Sequence, residues 1–401
     1  MNNSKRLKIA FILESDPNDK IALSGTPYSI SKNLNVFCGD IHYIRILPAK
    51  KSPLFYWDRF KNLFLRLFGK KYEWGRSVKC AKYLARQIQQ QLESEKYDLI
   101  YADKASVQIA FLDTSIPIIY GSDTVFAAMI NYYPGFTDLT KEAVKIGNLL
   151  EQKALDKSKI FICPSEWAAE SAINYYGIDK KKIHVIPRPC SFEKLPSQEK
   201  LLKEKRTDVC HLLFVGVEWK RKGADIAVDT VNRLNELGIK ASLTICGIKK
   251  TPPELKNNPF VKVTGFLNRN NKNDAQILED LFLNAHFFIL PARAECFGNV
   301  FVQACAYGLP ILTANTGGIP SVVTNNENGI LLELQASGFE YASVIKNLWI
   351  DKEKYNYLRK RSVEIYSQKF SNEVWGKATN EAINKCLFTN QTELHRKSIN
   401  S

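Results

Sequence analysis

The sequence predicts an α/β protein with two tandem domains, each built on an open parallel sheet. Short apolar runs rich in β-branched residues alternate with segments of helical periodicity, and this alternation occurs in two separate series. Between the series lies CSFEKLPSQEKLLKEKRTDVC, a charged segment poor in large apolar residues that is typical of a linker. At 401 residues the chain is also long for one core, so two domains of roughly 200 residues are expected.

Six apolar runs in the first series are predicted to be strands, with helices between most of them. In chain order they are LKIAFIL, IHYIRILP, YDLIYAD, IPIIYGSD, KIFICPS and IHVIP. Strands that alternate with helices indicate parallel βα units. We therefore predict a first Rossmann-like domain over residues 1–195.

The second series has the same architecture without repeating the sequence. Its predicted strands are HLLFVGVEW, ASLTICG, FVKVTGFL, AHFFILPA, LPILTANTGG and GILLEL. Helices are expected over residues 224–237, near 274–284 and from about 299, and the stretch from GFEYASV to NKCLF is helical throughout by periodicity. This pattern predicts a second Rossmann-like domain over residues 196–371 and a last helix over about 372–387.

Composition excludes several classes of protein. The longest apolar runs, such as FFILPA, fall far short of the roughly 20 residues needed to cross a bilayer, and MNNSKRLKIAFILES meets charge too early for a secretory signal. The nine cysteines are odd in number, scattered and never spaced C-x-x-C, which argues against a disulfide framework and a zinc site. We expect a cytoplasmic protein.

The net charge of +15 is concentrated in one segment of the predicted first domain. Residues 50–86 contain eleven Lys or Arg against Asp58 and Glu73, a net charge of +9. Within this segment, PLFYWDRFKNLFLRLFGKKYEW places aromatic residues at helical spacing among the basic ones. Two interpretations remain open: peripheral contact with an anionic membrane surface, or a helix whose aromatic face packs on the domain core while its charges are solvated.

Three turns between a strand and a helix have the composition of a ligand site. SGTP follows the first strand, Lys220, Arg221 and Lys222 follow HLLFVG, and Glu295 follows FFILPA just before CFGNV. Ligands of open α/β sheets bind beyond the carboxyl ends of the strands, where basic side chains and helix-terminal amides suit a diphosphate. Singly, the Ser-Gly turn is weak evidence, a solvated basic turn explains the three cations equally well, and Glu295 could be only a stabilising first-turn acid. Together the three turns favour a site.

The stretch RAECFGNVFVQACAYGLPILTANTGGIPSVV resembles the signature of the group-one glycosyltransferases, the large retaining family four with the two-domain GT-B fold. LFVGVEWKRKG, SEWAAESAINYYGIDKKKIHVIP, VTGFL and SGTPYSISKNL support the resemblance, which runs from residue 24 to about residue 332. It implies that the C-terminal helix crosses back onto the N-terminal domain. It also implies that the N-terminal domain binds the acceptor and that the second domain binds a nucleotide sugar.

The resemblance assigns roles in the turn after FFILPA and in the helix that follows. Glu295 is expected to contact the donor sugar. Phe297, Gly298 and Asn299 are expected to donate backbone N–H groups to the sugar and phosphate. Gln303 stands where the family has a second Glu that holds the ribose hydroxyls. An amide has one acceptor oxygen where a carboxylate has two, which predicts altered ribose binding.

The other basic and loop positions follow from the same resemblance. Lys222 matches the lysine of the diphosphate site, whereas Val217 stands where the family has an arginine, which Arg221 or Lys220 is expected to replace. The remaining donor and sugar positions are Gly25 and Thr26 near the diphosphate, Gly247 and Phe266 near the base, and Asp123 in place of a sugar-contacting His.

The predicted function is sugar transfer with retention from a UDP- or GDP-sugar to a glycan, glycolipid or other hydroxyl acceptor. Asp123, Glu295 and Lys222 are the predicted catalytic residues. Because no Asp-x-Asp follows a strand, neither a metal nor another cofactor is expected. The alternatives are a pseudo-enzyme that binds a nucleotide sugar without transfer, and an epimerase or phosphorylase of the same fold. Nucleic acid is not an expected partner, since no recognition motif accompanies the basic segment.

Overall fold

The structure, a computed structural model, describes residues 6–205, 208–249, 252–255 and 257–399, without the side chains of 254 and 388–399. The chain divides into two compact units. The first contains the chain up to Pro187 and from Trp375 on, and the second is Arg188–Val374. The unit boundary therefore lies earlier than the predicted 195/196, because Cys190 and Phe192 are buried in the core of the second unit.

The first unit contains a six-stranded parallel sheet in the order β2-β1-β3-β4-β5-β6. Its strands are β1 Leu7–Leu13, β2 Gly39–Arg45, β3 Leu99–Asp103, β4 Ile118–Gly121, β5 Ile160–Cys163 and β6 Ile183–Val185. Its helices are α1 Thr26–Phe37, α2 Tyr56–Leu67, α3 Val78–Leu92, α4 Ser106–Ile109, α5 Phe126–Met129, α6 Lys141–Lys157 and α7 Glu166–Tyr176. All six predicted strands form at these places.

The second unit repeats this arrangement in the order β12-β11-β10-β7-β8-β9, again with parallel pairs. Its strands are β7 Cys210–Val215, β8 Ala241–Cys246, β9 Val261–Gly265, β10 Phe287–Leu290, β11 Ile311–Ala314 and β12 Gly329–Leu332. Its helices are α8 Gln198–Leu202, α9 Trp219–Lys222, α10 Ala224–Glu236, α11 Lys272–Asn284, α12 Asn299–Ala306, α13 Gly338–Ile350 and α14 Lys352–Ile365. The parallel α/β architecture predicted for both halves is confirmed.

The last helix, α15 Asn372–Ile399, packs on the first unit. Alternate side chains of a strand face opposite sides of the sheet, and on one side Ile9 and Phe11 of β1 share a core with Trp375 and Ile383 of α15. Burial of an indole and a branched aliphatic side chain stabilises this contact by roughly 1.5–3 kcal/mol each. The helix thus returns to the N-terminal sheet, as the resemblance implied.

The helix after SGTP begins at Thr26, and Pro27 fits its first turn, where the missing N–H costs nothing. The helix of the basic segment forms as α2, but it contains no buried residue, and Trp57 is 78% exposed. The interpretation in which the aromatic face packs on the core is therefore wrong. Among the described residues, no helix is long and apolar enough to cross a membrane.

Candidate functional site

The carboxyl edge of the second sheet brings two predicted turns together. The turn after β7 leads into the short helix α9, and Gly223 joins α9 to α10. Gly223 has φ +75°, and a Cβ there would clash with the carbonyl of Pro291 just beyond β10. A glycine is therefore required for this close approach. As a result, the end of α9 lies against the segment that carries Glu295.

Two cations converge on Glu295. The Nζ of Lys222 donates directly to Oε2 of Glu295, and Nη1 of Arg221 lies 3.5 Å from the same oxygen. Arg221 also donates to the carbonyl of Ala294, at 2.9 Å, and its other nitrogens pair with Glu218. The side chains of Arg221, Lys222 and Glu295 are only 9–11% exposed, so their ion pairs are poorly screened by solvent.

Lys220, the third basic residue of the turn, does not join this cluster. Its side chain is 78% exposed and pairs with Asp225 at 3.0 Å, and Arg293 also pairs with Asp225. Partial burial opposes ionisation of Asp225, but hydrogen bonds from Arg293 and Lys220 hold its pKa below the usual value. Val217 is 54% exposed. Of the two expected replacements for the family arginine, Arg221 is the one beside Glu295.

The start of α12 lies next to Glu295. Gly298 precedes the helix with φ +86°, and a Cβ there would clash with the ring of Phe301 and lie 3.2 Å from Cγ of Glu295. Phe297 is 1% exposed, because its ring belongs to the core of the second unit. Asn299 is the first residue of α12. The first-turn N–H groups of a helix lack partners within the helix, which makes this terminus attractive to an anion.

Gln303 is fixed within the second unit. It is 6% exposed, and its Nε2 donates to Oγ of Ser191 at 2.8 Å. Nη1 of Arg269 donates to the same Oγ at 2.9 Å, and its Nη2 donates to the carbonyl of Ser191. The sequence did not indicate Ser191 or Arg269, because neither lies in a recognisable motif and each is far from Gln303 along the chain.

The predicted base region also lies at this sheet edge. Gly247 follows β8, its N–H donates to the carbonyl of Gly265 at 2.7 Å, and a Cβ there would lie 2.6 Å from the carbonyl of Gly216. Phe266 follows β9, is 42% exposed, and carries the Nζ of Lys249 at 5.3 Å from its ring centre. An exposed ring beside a cation at a strand end suits stacking with a planar heterocycle.

In the first unit, Asp123 follows β4 and pairs with Lys104, which follows β3, at 2.7 Å. Both side chains are 25% exposed. Lys104 lines a cavity of about 330 Å³, whose other polar lining residues include Glu14, Asp103 and Gln108. Nε2 of Gln108 donates to Oε1 of Glu14 at 2.6 Å. These four lining residues were not predicted from the sequence, although Glu14 and Lys104 each follow a strand directly, which is the signal that would have found them.

The predicted loop at Gly25 and Thr26 has an unusual backbone. Leu23, Ser24 and Gly25 have φ values of +47°, +62° and +75° in succession, and Thr26 then starts α1 with 3% exposure. Non-glycine residues rarely adopt positive φ, and such strain is concentrated at functional sites. Leu23 is 59% exposed and lines the same cavity as Lys104. Among the described residues, no group of three or more His, Cys, Asp or Glu side chains is placed to hold a metal ion.

Comparison with known proteins gives the family. One family model, described as group 1 glycosyl transferases, matches residues 210–351, and a second, described as glycosyltransferase family 4, matches residues 42–194. The chain belongs to the group 1 glycosyltransferases. The group 1 match contains Lys222, Glu295 and Gln303, and the family 4 match contains Asp123.

Curated relatives of this group 1 glycosyltransferase are distant. It is 24% identical to the D-inositol 3-phosphate glycosyltransferase of Paenarthrobacter aurescens over 210 residues, which are 50% of this chain and 51% of that protein. The corresponding protein of Corynebacterium efficiens is 25% identical, over 59% of this chain and 60% of that one. The chain thus spans about half the length of the curated relatives it matches.

Solved structures share the fold along nearly the whole chain. HepE of Anabaena in complex with UDP and glucose has a TM-score of 0.64 at 16% identity, covering 94% of this chain and 100% of that one. Sucrose-phosphate synthase of Thermosynechococcus elongatus has a TM-score of 0.66 at 15% identity, covering 98% and 99%. These similarities confirm the GT-B fold of this group 1 glycosyltransferase.

Proposed function

We propose that this protein transfers a sugar, with retention of configuration, from a UDP- or GDP-sugar to a hydroxyl of a glycan or glycolipid. The convergence of Arg221 and Lys222 on Glu295, next to the start of α12, is the observation that supports it best. HepE of Anabaena, which shares the fold, has been solved with UDP and glucose and with UDP-glucose. Cations near a helix start suit a diphosphate, which is the leaving group of a nucleotide sugar.

In the proposed reaction, the donor diphosphate replaces Glu295 as the ion-pair partner of Lys222 and Arg221. The carboxylate of Glu295 then accepts hydrogen bonds from the sugar hydroxyls. The bond between the anomeric carbon and the β-phosphate oxygen breaks, while the acceptor oxygen bonds to that carbon on the same face. The acceptor proton passes to the departing phosphate oxygen, so no covalent enzyme nucleophile and no metal are required.

The acceptor is assigned to the first unit. A cavity lined by Glu14, Asp103, Lys104 and Gln108 offers both donors and acceptors to a polyhydroxylated molecule. Asp123, paired with Lys104, is proposed to orient the sugar. The relatives that act on D-inositol 3-phosphate make a phosphorylated acceptor a natural choice for testing. Action in the cytoplasm, with peripheral contact to the membrane, and the absence of a metal requirement stay predictions.

The test is a panel of UDP-, GDP- and ADP-sugars, with and without a chelator, followed by mass spectrometry of nucleotide release and of glycosylated acceptors. One or more UDP- or GDP-sugars should be turned over without loss on chelation, with the product α or β configuration equal to that of the donor. Binding without turnover would instead support the pseudo-enzyme, which the occupied amide of Gln303 and the exposed Val217 favour. Cleavage only with orthophosphate would indicate a phosphorylase.

A further inference from the structure

Helix α2 exposes an apolar face of unusual size. We define the α2 apolar face as six side chains that are 51–78% exposed: Trp57, Phe60, Leu63, Phe64, Leu67 and Phe68. The rings of Trp57 and Phe60 stack at 5.5 Å, and those of Phe64 and Phe68 contact edge-on at 5.2 Å. Contiguous exposed apolar surface of this kind marks an interaction site.

The helix is attached to its own unit by its polar side. Asp58 pairs with Lys79 at 3.1 Å, and Oδ1 of Asn62 accepts from the backbone N–H of Tyr72 at 3.0 Å. At 100° per residue, the α2 apolar face covers an arc of roughly 140°, and Asp58 and Asn62 lie on the opposite side. An ordinary surface helix packs its apolar side on the core. Here that side points away from the unit, so it is available to something outside it.

Exposed basic side chains occur in the same segment as the α2 apolar face. Lys51, Arg66 and Lys70 are exposed, and the segment 50–86 has a net charge of +9. By contrast, the half-buried Arg59 and Lys71 are held by backbone carbonyls, Arg59 by that of Ser52 and Lys71 by that of Pro134. The segment therefore combines large exposed apolar rings with exposed cations, the pair of features that suits the boundary between lipid headgroups and acyl chains.

We propose that α2 docks the first unit on an anionic phospholipid bilayer. The rings of the α2 apolar face enter the headgroup region, and Lys51, Arg66 and Lys70 bind the lipid phosphates. Charge selects this occupant over a second copy of the chain, because a symmetric contact through α2 would place two segments of net charge +9 against each other. A bilayer rich in anionic lipid attracts the same charge.

Helix α2 contacts a residue that lines the cavity of the first unit. Arg59 in α2 donates to the backbone carbonyl of Lys50, and Lys50 lines the cavity. A lipid-linked acceptor held at the bilayer would therefore be close to the cavity mouth. The approach of a lipid-linked acceptor to the cavity rests on the proposed function, whereas docking on lipid does not. Separate experiments measure lipid docking and donor binding.

The experiment is co-sedimentation of the full chain with vesicles of phosphatidylcholine alone, or with roughly one-third phosphatidylglycerol, at low and high salt. We expect binding to the anionic vesicles that weakens steeply with salt. Replacing Lys51, Arg66 and Lys70 together by Gln should weaken partitioning on the order of 100-fold, from about 1 kcal/mol per basic residue near the surface. The double variant Trp57→Ser, Leu67→Ser should also lose binding.

Matched control variants remove the same number of positive charges, or an exposed aromatic ring, elsewhere in the first unit. Lys180, Lys181 and Lys182 changed together to Gln remove three charges, and Tyr175→Ser removes a 60% exposed ring. Both should bind vesicles as the unchanged protein does. Equal loss in these controls, or no preference for anionic over neutral vesicles, would overturn the proposal. So would a dimer that the α2 variants convert to monomer, since the face would then belong to a second copy.

Calorimetric titration with UDP separates this inference from the proposed function. All four variants should bind UDP like the unchanged protein, because none alters the second unit. Vesicle binding without UDP binding would support lipid docking and contradict the proposed function. UDP binding without vesicle binding would contradict lipid docking and leave the proposed function standing.

Discussion

At the residue scale, Glu295 is the residue of the proposed donor site on which both buried cations converge. It neutralises Lys222 and lies 3.5 Å from Arg221 in a place that is nearly closed to solvent. Burying one charge without a partner is costly, so these ion pairs stabilise the buried cations. The proposed reaction requires that a diphosphate replace the carboxylate of Glu295 as their partner.

Replacing Lys222 by Ala is expected to lower turnover of a nucleotide sugar about 100- to 1,000-fold, the scale for losing one charge-stabilising donor. Lys220→Ala is the matched control, because Lys220 is 78% exposed and pairs only with Asp225 among the ion pairs described. Steady-state kinetics with the best donor of the panel should show near-normal turnover for Lys220→Ala. Equal effects of the two variants would refute the role assigned to Lys222.

Gln303→Glu tests the position that resembles the ribose-binding Glu of the family. A carboxylate there can accept from the hydroxyl of Ser191, lies near the charge of Arg269, and has a second oxygen for a ribose hydroxyl. We expect roughly fivefold tighter binding of UDP in calorimetry, the difference between a charged and a neutral hydrogen bond. Gln303→Met, of similar length without polar atoms, should weaken it. Unchanged affinity in both variants would remove residue 303 from the donor site.

Individual site residues were predictable where chain position alone places them at a sheet edge. Lys222 and Glu295 follow strands and lie in stretches that resemble the family signature, and the structure brings them into contact. Ser191 and Arg269 were not predictable, because their link to Gln303 depends on how the start of the second unit packs beside α12. Lys104 as the partner of Asp123 likewise depends on the β3–β4 pairing, which brings the two strand ends together.

At the element scale, Gly298 precedes α12 in a left-handed backbone conformation and packs closely against Phe301. Gly298→Ala should lower the free energy of unfolding by about 2–4 kcal/mol, because it combines positive-φ strain with displacement of the buried Phe301 ring. Gly238→Ala is the control, since its φ of +81° is similar but a Cβ there meets nothing within 4 Å. It should lose only about 1 kcal/mol. Denaturant titration gives both values, and equal losses would show that Phe301 does not constrain this turn.

Periodicity predicts the existence of a helix more reliably than it predicts what the apolar face of that helix contacts. Helices α10 and α11 form close to the predicted ranges and direct apolar residues to the core, as amphipathic helices do. Helix α2 also forms where its spacing predicts, but Asp58 and Asn62 attach it and the apolar side is exposed. Sequence spacing is the same for a face turned inward and one turned outward, so only the contacts decide.

At the scale of the whole molecule, each unit has its own sheet and core. In the second unit, we expect Lys205 to make the free energy of unfolding depend on pH. Its Nζ donates to the carbonyl of Ala285, and burial, with a smaller effect of Arg359, lowers its pKa from 10.5 to about 7. Between these values the unfolded chain binds one more proton than the folded one. The free energy of unfolding should therefore rise with pH from about 7 to 10.5 through this group.

Lys205→Met should remove that rise, while Lys203→Met, at an exposed neighbour, should retain it. The contribution of one group is at most about 1.4 kcal/mol per pH unit. Denaturant titrations between pH 7 and 9 give the difference in slope between the two variants. Parallel slopes would mean that Lys205 is not neutral in the folded protein.

Two-domain organisation followed from the alternation of strands and helices, whereas the exact division did not. The linker composition placed the boundary near residue 195, but the apolar Cys190 and Phe192 before it are part of the second core. Likewise, periodicity predicted α15 as a helix, and its packing on the first sheet was implied only by the family resemblance. Long-range packing of a few apolar side chains decides both points.

The proposed donor site requires that the carboxyl edge of the second sheet hold the nucleotide diphosphate. Hydrogen–deuterium exchange of the full chain, with and without saturating UDP, measures this. Slower exchange is predicted in peptides covering residues 216–223 and 291–303, with that protection lost in Lys222→Ala and kept in Lys220→Ala. Binding of UDP that protects neither segment would show that this sheet edge does not hold the diphosphate.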